Sequence, residues 1–152
     1  MVKGVIFDFN RTLYDPDTGK LNDGALDLVK TLSKEGIKLS LLSKKAEEDR
    51  IVQICELGIE EYFMYIKIIE GSKTVPDFQG VMRLMHLYPP QIAVVGDRVR
   101  SEIDIGNQLG MTTFWYKNGK FANEEPQTEK QKPKYIITSL EELLPYIIKP
   151  KI

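Results

Sequence analysis

The chain has only one cysteine and no long apolar run. These two features exclude disulfide-stabilised proteins and proteins with membrane-spanning helices. With Cys55 as the single cysteine among 152 residues, no intrachain disulfide can form. We expect this thiol to be buried and inert among the apolar neighbours of a helix. No apolar run approaches the roughly 20 residues of a membrane-spanning helix. Residues 1–7 are too soon interrupted by Asp8 to be a signal peptide. We therefore expect a cytoplasmic protein, whose reducing surroundings suit a free thiol.

The chain also has no excess of charge of either sign. Its 21 basic and 22 acidic residues give a net charge of −1, which does not suggest a nucleic-acid or membrane surface. A content of 42% hydrophobic and 28% charged residues is that of a soluble globular protein. At this length we predict a single domain over residues 1–152 with a core of its own. Nothing in the pattern points to a particular oligomeric state.

Short apolar runs alternate with helical patterns along the chain. Strands are predicted over residues 3–8, 37–42, 64–69, 91–95, 111–116 and 135–137. Helices are predicted over residues 23–35, 46–57, 78–87 and 101–109, and after a capping box formed by Ser139 and Glu142. A hairpin at 14–22 and a surface loop at 117–133 complete the order. This alternation is typical of an α/β fold in which helices cover both faces of a parallel sheet.

The first helix has an expected cap and an expected buried face. Asn22 or Asp23 can cap its start. Leu26, Val29 and Leu32 are expected along its apolar face.

Chemically active side chains follow four of the predicted strands. Asp8, Asn10 and Thr12 follow the first strand, Ser43 the second, Lys73 the third, and Gly96 with Asp97 the fourth, with Glu102 five residues after Asp97. Right-handed crossovers place the C-terminal ends of parallel strands at one edge of the sheet, where ligands bind. We therefore expect these side chains to converge there.

The chemistry that fits this set is phosphoryl transfer. A carboxylate can attack phosphorus and form an aspartyl-phosphate. Asp8 and Asp97 offer the hard oxygen ligands that suit Mg²⁺, and Ser43 can donate to a phosphate oxygen. Lys73 can neutralise the phosphate and hold Asp8 ionised by Coulomb attraction.

Each of these residues alone has a structural alternative. Asp8 or Asp97 would then be a turn residue, and Ser43 the cap of the following helix. Lys73 would be a surface lysine, and Glu102 an acidic residue that favours a helix start. Their order along the chain, on one edge, favours the functional interpretation.

Four motifs resemble those of the haloacid dehalogenase-like (HAD) superfamily of hydrolases. VIFDFNRTLYD resembles the first motif, an apolar strand followed by Asp-x-Asp-x-Thr. LSLLSKK, SKTVPDFQGVM and IAVVGDRVRSEIDIGNQLGM resemble the next three, and PKYIITSLEELLPYI the last strand and helix. The resemblance covers nearly the whole chain and implies a Rossmann-like three-layer α/β/α fold with a mostly parallel sheet. It implies Asp8 as the nucleophile, and Mg²⁺ held by Asp8, Asp97 and the backbone carbonyl of Asn10.

The resemblance also bears on how the site is covered. Members of this superfamily usually carry a cap domain inserted after the first motif or between the second and third. Here core elements fill both intervals, residues 9–42 and 44–72. We therefore expect a capless protein with an open site, which in this superfamily often goes with large or macromolecular phosphorylated substrates.

Asn10 departs from the motif that the rest of the sequence matches. Phosphatases of this superfamily usually have an aspartate there, which protonates the leaving oxygen and later activates water. An amide can do neither, and the loss of a general acid/base costs about 10²–10⁴ in rate. We expect Asp8, Asn10 and Lys73 in catalysis, and Ser43, Lys73 and Asn10 in substrate binding.

Three interpretations of Asn10 remain open. The chain is a weak or specialised phosphatase, a non-hydrolytic relative that binds phosphate and Mg²⁺ or acts as a scaffold, or the product of a laboratory substitution. The intact acids and lysine favour a hydrolase. A displacement of halogen from carbon is disfavoured, because a capless site would leave a small haloacid unenclosed.

Five further side chains are weaker candidates. Arg11 and Arg98 lie beside the predicted site and are expected to be solvated, with contact to a substrate phosphate as the alternative. His86 is expected to be structural. Trp115 and Tyr116 are expected to pack in the core rather than to stack on a substrate.

Overall fold

Six parallel strands form the centre of the molecule. The computed structural model describes residues 1–148, so residues 149–152 of the predicted single domain lie outside the described part. The sheet consists of β1 (Gly4–Phe7), β4 (Lys38–Lys44), β5 (Tyr65–Ile69), β6 (Ile92–Gly96), β7 (Thr112–Tyr116) and β8 (Tyr135–Ile137). Their order is β5-β4-β1-β6-β7-β8, and every neighbouring pair is parallel. The predicted Rossmann-like α/β class is therefore confirmed.

Helices cover the sheet on both faces. They are α1 (Ala25–Lys34), α2 (Arg50–Glu56), α3 (Val75–Met85), α4 (Asp104–Leu109) and α5 (Leu144–Ile147). In β1, Val5 and Phe7 pack into one apolar cluster with α1, whereas Ile6 packs into a second cluster with α3. A strand buried on both faces needs an uninterrupted apolar run, and this run made β1 recognisable in the sequence.

The intervals between the site motifs hold only core elements. Between β1 and β4 lie α1 and the predicted hairpin, which is formed by β2 (Tyr14–Asp15) and β3 (Lys20–Leu21). Between β4 and β5 lie α2 and a short 3₁₀ turn at Glu60–Tyr62. Across residues 1–148, neither interval contains a further folded domain. No helix in this range is both long and apolar enough to cross a membrane.

The start of α1 differs from the prediction. Its N-cap is Gly24, with φ 81°, and no side chain caps the helix. Asn22 instead donates its amide to the carbonyl of Thr12 at 2.9 Å, so it ties the hairpin to the loop after β1. The expected cap by Asn22 or Asp23 is therefore wrong. Leu26 is 39% exposed, and the buried face consists of Ala25, Leu28, Val29 and Leu32.

The expected burial of Cys55 is also wrong. Its side chain is exposed, and its Sγ donates to Glu60 Oε2 at 2.8 Å. The hydrogen bond to Glu60 raises the pKa of the thiol. Only Ile54 is buried in α2, because this helix begins at Arg50, where Asp49 caps it, and makes two turns rather than the three expected.

Two other segments contain more regular structure than the sequence predicted. α3 begins at Val75, three residues before the predicted start, because Thr74 and Asp77 cap it reciprocally. The predicted loop at 117–133 contains two short 3₁₀ turns, Gly119–Phe121 and Glu129–Gln131.

Candidate active site

Two adjacent strands bring two aspartates to the same edge of the sheet. Asp8 follows β1 and Asp97 follows β6, and these strands pair in parallel, with Phe7 opposite Val95. The Asp8 N–H donates to the Val95 carbonyl at 3.0 Å, which fixes the turn out of the sheet. Asp8 is 7% exposed and Asp97 is 2% exposed. The structure therefore brings Asp8 of the first motif and Asp97 of the fourth motif to the same edge, as predicted.

A third carboxylate, that of Glu102, lies beside them. Glu102 comes from a π-helical turn, Val99–Ile103, that precedes α4. It packs against Gly96, where a Cβ would lie 2.7 Å from Glu102 Oε2. One ligand oxygen from each of Asp8, Asp97 and Glu102 lies within 4.8 Å of the others. The sequence pointed to Glu102, but it did not show that its carboxylate reaches Asp8.

Lys73 joins two of these carboxylates. Its Nζ lies 2.5 Å from Asp8 Oδ1 and 2.8 Å from Glu102 Oε1, and its side chain is 5% exposed. The lysine reaches the edge from the loop between β5 and α3. Lys73 is therefore not a surface lysine, which was the structural alternative for this residue. One lysine leaves an excess of negative charge among three buried carboxylates.

This excess shows in the proton affinities of the site. Burial, together with the charges of Asp8 and Glu102, raises the pKa of Asp97 to about 9. Burial also raises the pKa of Glu102, although Lys73 opposes the shift. Burial alone would lower the pKa of Lys73, but the charges of Asp8 and Glu102 outweigh it and hold that pKa above its ordinary value. Another cation would relieve the same repulsion.

The residues present fit a divalent cation. Glu102 Oε2 is buried and has no hydrogen-bond partner among the described residues. Buried carboxylate oxygens are rarely left unpaired, and several converging carboxylates are the hard oxygen ligands that Mg²⁺ takes.

An open cleft of about 630 Å³ lies over these carboxylates. Its wall includes the expected site residues Asp8, Asn10, Lys73, Asp97 and Glu102. It also includes Lys44, Lys45, Arg50, Ser72, Arg98, Arg100, Ser101, Asp104, Ile105, Gln108 and Phe121. Of the predicted catalytic, substrate-binding and metal positions, Asp8, Asn10, Lys73 and Asp97 therefore share one cleft.

Ser43 is placed differently from the other expected site residues. It lies within β4, one residue before the end of the strand, and is 1% exposed. Its Oγ donates to the carbonyl of Lys44 at 3.2 Å, and the residue is not part of the cleft wall. Contact between Ser43 and a phosphate stays a prediction.

Asn10 lies in a tight turn directly after the nucleophile candidate. The N–H groups of Leu13 and Tyr14 both donate to the carbonyl of Phe9, at 3.0 Å each, and Arg11 has φ 61°. This turn holds the Asn10 side chain at the cleft wall. Its Oδ1 is buried and has no hydrogen-bond partner within the described part of the chain.

The weaker candidates have mostly structural partners. Arg11 pairs with the exposed Asp17 at 3.5 Å. Arg98 pairs with Glu124 at 3.0 Å. Trp115 is buried, as expected, and its Nε1 donates to the Asp97 carbonyl at 2.8 Å, so it ties β7 to the residue that follows β6.

Two remaining residues among these candidates also have packing or turn roles. Tyr116 is buried, as expected. His86 ends α3 in a left-handed conformation, with φ 56°.

Sequence reasoning missed Arg50, Glu124 and Phe121. Phe121 and Glu124 belong to the segment 117–133, whose polar composition gave no sign of contact with the site. Arg50 follows the acidic run Glu47–Asp49 and appeared as one charge among many.

Known proteins with similar sequences include phosphatases. A family model described as HAD-hydrolase-like matches residues 73–143. A glyceraldehyde 3-phosphate phosphatase of Pyrococcus furiosus is 29% identical over 125 residues, which cover 80% of this chain and 52% of that protein. This chain spans about half the length of the curated relatives it matches.

Solved structures share the fold. A HAD phosphatase from Thermococcus onnurineus superposes with a TM-score of 0.81 at 13% identity, and the match covers 99% of this chain and 100% of that one. A dehalogenase superposes with a TM-score of 0.83 at 11% identity over 98% of both chains. Because phosphatases and dehalogenases share this fold, it does not choose between the two chemistries.

Proposed function

We propose, from the resemblance of this chain to the haloacid dehalogenase-like superfamily of hydrolases, that it is a Mg²⁺-dependent phosphoric monoester hydrolase. In this proposal Asp8 is the nucleophile and forms an aspartyl-phosphate. The observation that carries the proposal is the contact of Lys73 with both Asp8 and Glu102, beside Asp97. This arrangement places a nucleophile beside a group of carboxylate oxygens that could bind a cation and whose charge Lys73 partly neutralises.

Asp8, Asp97 and the carbonyl of Asn10 would hold the metal in this proposal, with Glu102 close enough to assist. When bound, Mg²⁺ supplies positive charge to the phosphate oxygens and to the carboxylates. Lys73 adds a second positive charge and orients Asp8 through Oδ1. Ser43 is proposed as a further donor to the phosphate, after a change of its side-chain rotamer.

The reaction divides into two displacements at phosphorus. A carboxylate oxygen of Asp8 forms a bond to phosphorus while the bond from phosphorus to the ester oxygen breaks. Water then attacks phosphorus, the bond to Asp8 breaks, and inorganic phosphate leaves. Each displacement needs one proton transfer, to the leaving alkoxide in the first and from the attacking water in the second.

Asn10 limits both proton transfers. Its amide can orient the leaving group or the water by hydrogen bonding, but it cannot exchange a proton near neutral pH. The alkoxide therefore takes its proton from solvent, so esters with acidic leaving groups should react faster than alkyl esters. We infer a slow or specialised phosphatase.

A phosphatase assay of the purified chain tests the proposal. With Mg²⁺, we expect the chain to hydrolyse p-nitrophenyl phosphate, whose leaving group needs little protonation, and the Asp8→Asn variant to be inactive. Activity that survives in Asp8→Asn would show that a contaminant or another nucleophile is responsible, and would overturn the assignment of Asp8.

The second candidate is a protein that binds phosphate and Mg²⁺ without turnover. Asn10 favours it, because the one group lost from the first motif is the group that moves protons. The same assay separates the two: calorimetric binding of Mg²⁺ without turnover of any ester selects the binding protein.

A further inference from the structure

The cleft has an acidic floor and a strongly basic wall. Five of the residues that line it are cations outside the carboxylate cluster: Lys44, Lys45, Arg50, Arg98 and Arg100. One Mg²⁺ and Lys73 would together carry three positive charges, which balance the three carboxylates of the floor. The two negative charges of a phosphate dianion would then be left to the five cations of the wall. The wall therefore carries more positive charge than a single phosphate group requires.

Three of these cations are engaged by the protein itself. Arg98 donates from Nε and a terminal nitrogen to Glu124 Oε2, at 3.1 and 3.0 Å. Arg100 donates to the carbonyl of Glu125 at 3.2 and 3.3 Å. Lys45 pairs with an exposed carboxylate, that of Glu70, at 3.2 Å.

Lys44 and Arg50 differ from Lys45 and Arg98, which are ion-paired, and they lack the backbone carbonyl that accepts from Arg100. Within residues 1–148, neither side chain forms an ion pair. The acid next to Arg50 in sequence, Asp49, is engaged elsewhere, because its carboxylate accepts from the N–H groups of Ile51 and Val52. The positive charges of Lys44 and Arg50, like that of Arg100, are thus left without a counter-charge among the described residues.

The Arg50 guanidinium is also fixed by contacts with two side chains. Its guanidinium lies 5.3 Å from the ring centroid of Phe9, the residue that follows Asp8, and one terminal nitrogen donates to Gln53 at 2.9 Å. Its Nε is buried and has no acceptor among the described residues. A buried guanidinium N–H without an acceptor is costly, and a planar guanidinium positioned in this way suits a carboxylate or phosphate.

We infer that Arg50, assisted by Lys44, forms a second anion-binding subsite in this cleft. The substrate is then a small phosphate monoester whose organic part carries another anionic group, a carboxylate or a second phosphate. This inference rests on the proposed function, because it takes the phosphate at Asp8 as the first anchor. Phe9 links the two anchors, since it is adjacent to Asp8 in sequence and lies against Arg50, and this nearness favours a short substrate.

Matched pairs of esters test the inference. Glycerate 3-phosphate and glycerol 3-phosphate differ only in a carboxylate against a hydroxymethyl group. Fructose 1,6-bisphosphate and fructose 6-phosphate test a second phosphate in the same way. For the wild-type chain with Mg²⁺, we expect kcat/KM to be at least about 10-fold higher for the doubly anionic member of one pair.

The variants locate that preference. Arg50→Gln should bring the ratio within the preferred pair close to one, mainly through a rise in KM for the doubly anionic ester, and Arg50→Lys should retain part of the preference. Arg83→Gln, on the exposed face of α3 and outside the cleft, is the matched control and should keep the wild-type ratio. If Arg50→Gln does not fold, Lys44→Gln should lower the ratio in the same direction.

Failure of the inference and failure of the proposed function give different results. Turnover of p-nitrophenyl phosphate with equal kcat/KM within both pairs, or a preference that persists in Arg50→Gln, overturns the second subsite and leaves the phosphatase. If no ester turns over, the proposed function fails, and calorimetry with the same pairs decides the inference. Tighter binding of the doubly anionic member, lost in Arg50→Gln, supports the subsite, and equal or absent binding overturns it.

Discussion

Replacement of Lys73 by methionine tests the charge balance of the site. The side chain is 5% exposed and holds both Asp8 and Glu102 within hydrogen-bond distance. Methionine fills similar volume but leaves buried carboxylates without their cation. Removing one partner of a buried ion pair costs about 3–5 kcal/mol of unfolding free energy. For a domain of this size, that cost corresponds to a fall in Tm of roughly 6–20 °C.

The loss should depend on the charge state of the remaining carboxylates. Because burial raises the pKa of Asp97 and of Glu102, both acids take up protons readily once Lys73 is gone. The loss of Tm in Lys73→Met should therefore be smaller at pH 5 than at pH 8. A second substitution, Glu102→Gln, should recover part of the stability at pH 8.

Thermal unfolding followed by circular dichroism, without added metal, measures these differences. Lys132→Gln is the matched control, because its ion pair with Glu129 is exposed, at 61% and 85%, and such pairs contribute about 0–1 kcal/mol. A loss in Lys73→Met as small as that of the control, or one that is the same at both pH values, would refute the buried charge cluster.

Three further predictions concern the same site. Asn10→Asp restores a group that can carry a proton, so turnover of alkyl phosphates should rise by about 10²-fold or more; an unchanged rate in a steady-state phosphate-release assay would contradict the role given to this position. In the metal-free chain the folded state holds protons on Asp97 and Glu102 that the unfolded state has already released, so the free energy of unfolding should fall as pH rises from about 4 towards 9. Added Mg²⁺ should therefore raise Tm more at pH 8 than at pH 6. A Tm shift independent of pH would argue against carboxylate ligation. Gly96→Ala would place a Cβ 2.7 Å from Glu102 Oε2, so calorimetry should show weaker Mg²⁺ binding, and unchanged affinity would mean that Glu102 does not contribute.

The sheet and its site edge could be predicted because local signals agreed with the final packing. β1 and β8 were recognisable from short apolar and β-branched runs. Asp8 and Asp97 could be assigned to one edge because all crossovers in such a sheet have the same hand. Lys73 was predicted for the site by resemblance as well as by order, but its bridge between two acids needed the structure.

The errors arose where tertiary contacts decide the outcome. Asn22 was expected to cap α1, but its side-chain amide donates to the carbonyl of Thr12 instead. Only the folded chain brings that carbonyl near. Cys55 was assigned to the core from apolar neighbours in the sequence, yet α2 is too short and too peripheral to bury it. Arg50 gave no signal, because its position beside Phe9 depends on how α2 lies against the loop after β1.

The central claim, that Asp8 attacks phosphorus, is tested most directly by trapping the covalent intermediate. The chain is mixed with p-nitrophenyl phosphate and Mg²⁺, quenched in acid during turnover, digested, and analysed by mass spectrometry. We predict that the peptide containing Asp8 gains the mass of one phosphoryl group, that hydroxylamine removes it, and that Asp8→Asn shows none. Release of p-nitrophenol with no phosphoryl group on that peptide under acid quench, or with the group on another residue, would contradict the account.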